Sequence, residues 1–203
     1  RGGLIEVIKR KFSGESIFLN TFTCKEGKGI ITFASEFPGK VIPIKFEDTK
    51  EIICQKDAFM CAQEGIYLKM HFRKRLGAGF FGGEGFILQK LSGKGYAFIE
   101  LAGEIIEMTL KKDQVLKVDT GHIAMFEPSV DFDIELVEGV KNIFFGGEGL
   151  FLSTLTGPGK VWLQSMPLAN LAGKIGKYLI TGRSSGRSRS GISGAIQNMG
   201  LGV

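Results

Sequence analysis

Three carboxylates occupy the same place in a recurring motif: Glu15 in Phe12-Ser-Gly-Glu15-Ser-Ile-Phe-Leu19, Glu84 in Phe81-Gly-Gly-Glu84-Gly-Phe-Ile-Leu88, and Glu148 in Phe145-Gly-Gly-Glu148-Gly-Leu-Phe-Leu152. The spacings are 69 and 64 residues. A glutamate flanked by glycine accepts backbone N–H groups and pins a turn. Gathered at an oligomer axis, several would instead form a polar-ligand or metal site, because carboxylate oxygens suit hard cations. The sequence leaves both readings open and points to no resident cofactor.

Val118-Asp119-Thr120-Gly121 follows an apolar strand and has the Asp-Thr-Gly order of an aspartic-protease turn. That chemistry needs two carboxylates sharing a proton, and the chain holds a single copy. Asp119 is therefore expected to accept backbone amides within a turn, with His122 beside it as a second turn hydrogen-bonder. Gly77-Ala-Gly79-Phe-Phe-Gly82 satisfies a dinucleotide pattern, but a strand rather than a helix follows it, so a turn is expected. His71 falls on the polar side of its strand, and two separated histidines are too few for a metal site. No Ser-His-Asp or Cys-His spacing and no phosphate-binding Gly-x-x-x-x-Gly-Lys-Ser/Thr loop occurs, which argues against an enzyme.

The elements that must position these residues are short strands. Each motif is followed by a second glycine pair, Gly27-Lys-Gly29, Gly93-Lys-Gly95 or Gly157-Pro-Gly159, and then by an apolar stretch: Ile30-Ile-Thr-Phe33, Tyr96-Ala-Phe-Ile99 or Val161-Trp-Leu-Gln164. Between the motifs the hydrophobic period is two. Val130, Phe132, Ile134 and Leu136 alternate with acids, Ile66, Leu68, Met70 and Phe72 with Tyr67, Lys69 and His71, and Ile106, Met108 and Leu110 with Glu107 and Thr109. Pro43 inside 41–46 predicts a sheet edge. The expected fold is all-β, an internally repeated sandwich of repeat units about 12–76, 81–140 and 145–166. At 167–181 the period turns helical, with Leu168, Leu171, Ile175 and Tyr178 on one face and Pro167 suited to its first turn. Residues 1–182 thus form the β domain with one C-terminal helix, and 183–203 a flexible tail rich in Gly, Ser and Arg.

The net charge of +5 looks like a nucleic-acid footprint, but five of the 26 Lys and Arg (Lys174, Lys177, Arg183, Arg187, Arg189) follow Gly173, where no acid occurs. The remaining 21 match the 21 Asp and Glu. Nucleic-acid binding through the body is therefore disfavoured, while the tail is a thin signal for RNA or anionic lipid. Cys24, Cys54 and Cys61, odd in number and without a Cys-x-x-Cys pair, are expected to be reduced, buried thiols in a cytoplasmic protein. No apolar run is long enough to span a membrane, and no signal peptide is visible.

The run Phe-Phe-Gly-Gly-Glu-Gly85, then Val-Asp119-Thr-Gly-His122-Ile-Ala-Met-Phe126, Gly-Glu-Gly149, Gly-Pro-Gly159 and Val-Trp-Leu-Gln164-Ser resembles the altered-inheritance-of-mitochondria, AIM-type family over roughly residues 1–180. The resemblance implies a fold similar to the tryptophan RNA-binding attenuator protein: double-stranded β-helix-like sheets, commonly in homotrimers. It also implies an association of mitochondrial relatives with inner-membrane organisation, and it transfers no catalytic residue. Relatives carry a further strand region before Gly2-Gly3-Leu4, and the third repeat is half a repeat, so the two half-repeats are expected to complete one another. The expected function is a non-enzymatic, homo-oligomeric β-scaffold that binds a protein partner, with peripheral membrane contact as one setting. The alternatives are RNA binding by fold analogy and small-ligand or metal binding at an oligomer axis.

Overall fold

Short apolar runs bounded by Gly-containing turns fold here into antiparallel ladders. The computed structural model describes residues 5–11, 18–74, 85–136 and 151–181. The chain divides into two compact units, Arg1–Ala169 and Asn170–Val203. The first opens with β1 (Ile5–Lys11) and β2 (Phe18–Cys24), which pair only with each other among the described residues.

Among the described residues twelve strands come next, in two sets of six. The first half comprises β3 (Gly39–Phe46), β4 (Ile52–Gln55), β5 (Phe59–Ala62), β6 (Ile66–Lys74), β7 (Phe86–Gly93) and β8 (Gly95–Ala102). The second comprises β9 (Ile105–Leu110), β10 (Val115–Asp119), β11 (Ile123–Phe126), β12 (Asp131–Leu136), β13 (Phe151–Thr156) and β14 (Gly159–Gln164). Sheet orders are β3-β8-β5, β6-β7-β4-β11-β14-β9 and β10-β13-β12. Under a shift of six strands and 64 residues the two halves have matching ladders, except that β6 is bulged against β7 between Met70 and Phe72 and β12 runs against β13 without a bulge. Cys54 opposite Gln89 becomes Val118 opposite Ser153, and Val41 opposite Glu100 becomes Ile105 opposite Gln164. One bulge recurs, between Phe59 and Cys61 and between Ile123 and Met125. The halves meet where β4 pairs with β11, Cys54 opposite Met125 and Ile53 opposite Phe126.

That junction makes the six-stranded sheet a middle layer with a core on each face. Ile52 and Cys54 point into a first core with Phe46, Leu68, Leu91 and Ile99. Ile53, one residue out of phase, points into a second with Phe86, Phe126, Leu155 and Val161. A strand buried on both faces has no reason to alternate, and β4 (Ile-Ile-Cys-Gln) and β11 (Ile-Ala-Met-Phe) are buried throughout. β12 has one wet face and alternates as its sequence predicts, with Ile134 buried between exposed Asp133 and Glu135. Phe132 stacks on Phe126 at 5.4 Å and meets Phe72 edge-on at 5.2 Å, so rings from both halves seal the second core.

Pro43 lies in β3, which has β8 as its sole ladder partner among the described residues, as the missing N–H requires. Gly93 holds φ +113, and a Cβ there would overlap the Gly65 carbonyl, so the crossing from β7 to β8 demands glycine. Helix α1 (Leu168–Thr181) falls within the span that helical periodicity marks, and the protein is mostly β with this one α-helix among the described residues.

Two expectations change. Residues 30–33 form no strand, and Ile30 is 94% exposed. The matching stretches β8 and β14 each lie between two paired strands, β3 and β5 or β9 and β11, whereas 30–33 has no strand neighbour among the described residues. Nor, among the described residues, do the N-terminal strands pair with 151–164: β13 and β14 make their ladders with β9 to β12, inside their own half.

Candidate functional site

The polar centre of the molecule lies beside the β4–β11 junction, on the turn that joins β10 to β11. Strand β10 ends at Asp119, whose Oδ1 accepts the Gly121 N–H at 2.9 Å and so caps a single 3₁₀ turn, Thr120–His122. Asp119 and His122 thus stand at the two ends of one turn. The His122 Nδ1 lies 2.8 Å from the Gln164 carbonyl, and a carbonyl only accepts, so Nδ1 carries the proton. Thr120, 2% exposed, reaches the Phe151 carbonyl at 3.1 Å and the Ser153 hydroxyl at 2.9 Å, tying the turn to β13.

Gln164 is the hub. Its Nε2 donates to the Gly121 carbonyl at 3.0 Å and to Gln55 Oε1 at 3.3 Å, while its Oε1 accepts the Ala102 N–H at 3.1 Å. One side chain therefore bridges the ends of β4 and β8, in the first half, to the turn of the second. Sequence reasoning misses it; the signal was a glutamine closing an apolar strand, Val161-Trp-Leu-Gln164. Its counterpart 64 residues earlier, Glu100, is equally buried at 8% exposed, and its Oε2 has no hydrogen-bond partner. Gln89 Oε1 is likewise buried and unpartnered. Beside Gln164, Trp162 donates its indole N–H to Glu107 Oε2 at 2.9 Å, and Lys160 meets Glu107 Oε1 at 2.7 Å. The Lys160 bond holds the Glu107 carboxyl below its ordinary range, and the indole adds to that.

Glu15, Glu84 and Glu148 lie outside the described residues, as do Gly77, Gly79 and Gly82 and the tail 183–203. His71 is exposed on β6; partial burial, then the Lys90 ammonium, lower its imidazole pKa, with Glu51 opposing. Of the thiols, only Cys54 is fully buried, which pushes it up to about 12. Cys61 is half-buried and raised by desolvation, then by Glu100, while Cys24 at the end of β2 is exposed and donates to the Glu26 carbonyl at 3.2 Å. The expectation of three buried thiols therefore holds for one. Among the described residues, no three His, Cys, Asp or Glu converge as metal ligands, and no helix is long and apolar enough to cross a membrane.

A second feature is apolar. Phe22 and Phe33 meet edge-on at 5.8 Å, and both are exposed together with Ile30 and Ile31.

Comparison with known proteins places this architecture. An uncharacterised protein of Streptococcus pyogenes serotype M6 is 29% identical over 182 residues, covering 89% of this chain and 71% of that protein. The crystal structure of another Streptococcus pyogenes protein, a structural-genomics target, is similar with a TM-score of 0.57 at 24% identity, a likeness of fold. The match covers 70% of this chain and spans 62% of the length of that one. Residues 1–166 match the family described as Mitochondrial biogenesis AIM24. With that match running through every strand, the chain belongs to the Mitochondrial biogenesis AIM24 family.

Proposed function

We propose that the protein is a non-enzymatic, homo-oligomeric β-scaffold whose role is to hold a protein partner. The observation that carries the reading is the exposed apolar group Phe22, Ile30, Ile31 and Phe33. Four large apolar side chains in water on one short segment are a binding feature, because their burial against a partner is favourable by roughly 25 cal/mol per Å². The polar side chains of the junction support the non-enzymatic part: half-buried Asp119 and buried Thr120, Ser153 and Gln164 all hold hydrogen bonds within the fold. Reduced thiols suit a reducing compartment.

Native mass spectrometry of the purified chain tests this. The expected mass is a multiple of the 22.1 kDa chain. A single-chain mass at all micromolar concentrations overturns the scaffold reading. Extra bound mass that disappears in the Glu84→Gln, Glu148→Gln variant would replace it with a ligand site at the oligomer axis.

A further inference from the structure

We propose that the β5 edge of one copy takes the β10 edge of a second copy, repeating between chains the ladder that joins β4 to β11 within one. The inference rests on the oligomeric reading above and names its interface.

Within the chain, the last sheet of the first half and the first sheet of the second fuse through β4 and β11. Their counterparts under the 64-residue shift are β10 and β5, and each of these has one ladder partner among the described residues. β4 and β11 are buried along their whole length, β5 is half-buried throughout, and β10 has Val115 and Lys117 exposed. β5, Phe59-Met60-Cys61-Ala62, carries no charge to blunt its edge. The joint between copies is head-to-tail, so it builds rings or open chains.

An independent observation fits the same occupant. In the second half, Ile105 and Trp162, on the outward side of β9 and β14, pack against the first core. Their counterparts Val41 and Phe98, exposed and half-buried, share the outward face of the β3-β8-β5 sheet with Tyr96, also exposed. A second copy seated on β5 would cover this face with its own second core. Three departures from the internal junction add charge: Lys117 on β10 stands where β4 has Ile53, Asp119 where it has Gln55, and Glu100 on β8, next to β5, where β14 has Gln164. These changes make the joint between chains weaker than the one within, and so reversible.

The register makes the test sharp. Cys54 opposite Met125 becomes Val118 of one copy opposite Cys61 of the other. Opposed residues in an antiparallel pair have Cα atoms about 5 Å apart, within disulfide reach. In a Cys24→Ser background, Val118→Cys oxidised with copper phenanthroline should give covalent multimers in denaturing electrophoresis. Val115→Cys, displaced three residues or about 10 Å along β10, should give few. In sedimentation equilibrium, Lys117→Ile and Glu100→Gln should each tighten self-association about tenfold, by removing a desolvated charge. Multimeric protein with no more crosslinking at 118 than at 115 overturns this joint and leaves the scaffold reading standing. A single-chain mass overturns both.

Discussion

β4 and β10 occupy the same place in two halves with the same strand order, and pair with β7 and β13 in the same register, yet one is sealed and the other half open. Ile53 is 1% exposed in the second core, while Lys117, its counterpart, is exposed and pairs with Glu135 at 2.5 Å. The local ladders are alike; the neighbour across the edge differs. Burial in these two like-ordered sets of strands is thus set by the neighbour across each edge, and the side chain at the junction position records whether one is there. The polar hubs teach the same lesson. Gln164 has partners in both halves, and Glu100, at the corresponding place, keeps one carboxylate oxygen buried without a donor.

Exchanging the junction residues is the hardest blow to this comparison. Ile53→Lys puts an unpaired ammonium between two cores and should cost more than ~4 kcal/mol, enough to unfold the chain. Lys117→Ile in dilute protein should change stability by no more than about 0.5 kcal/mol. Equal effects in urea titrations would mean that the two strands are not differently covered. Gln164→Ala strands the Ala102 N–H and the Gly121 carbonyl, an expected loss of roughly 2–3 kcal/mol. Glu100→Gln should cost nothing, and a large destabilisation there would show that Glu100 has a donor after all. Gly93→Ala should lose more than about 1 kcal/mol through its positive φ and the Gly65 carbonyl.

The smallest effect belongs to His71. Its folded pKa lies below the unfolded value, so the unfolded chain binds more protons as pH falls through about 6.5. Stability should therefore decline from neutral pH through that window and level off below the folded pKa. His71→Gln should flatten that part of a plot of Tm against pH; an unchanged slope would assign it to other groups.

Much of the fold was legible because local periodicity and one-sided burial coincide. The alternation at 130–135 arises from side chains meeting water on one side, and the edge proline from its missing N–H, while the helix forms where its period predicts although Leu168, Ile175 and Tyr178 of its apolar face are exposed. Ile106 and Met70 broke the pattern, since both are exposed despite sitting in apolar phase. Ile106 belongs to β9 at the rim of its sheet, and Met70 borders a bulge that shifts the register of β6 against β7. The stretch Ile30-Ile-Thr-Phe33 looked like β8 and β14 in composition, but a strand is made by its neighbours, and sequence similarity does not supply them. The junction hub was invisible for a related reason. Gln164 meets Gln55 across 109 positions of chain, and nothing in either local sequence announces the other.

Trp162, the only tryptophan in the chain, belongs to the second half but packs against the core of the first. Its emission is therefore a built-in reporter of the seam. Parting the halves would wet the indole and shift its fluorescence to the red before either set of ladders had melted. A fluorescence transition that precedes loss of β-sheet circular dichroism would then reveal the seam as the first thing in this molecule to give way.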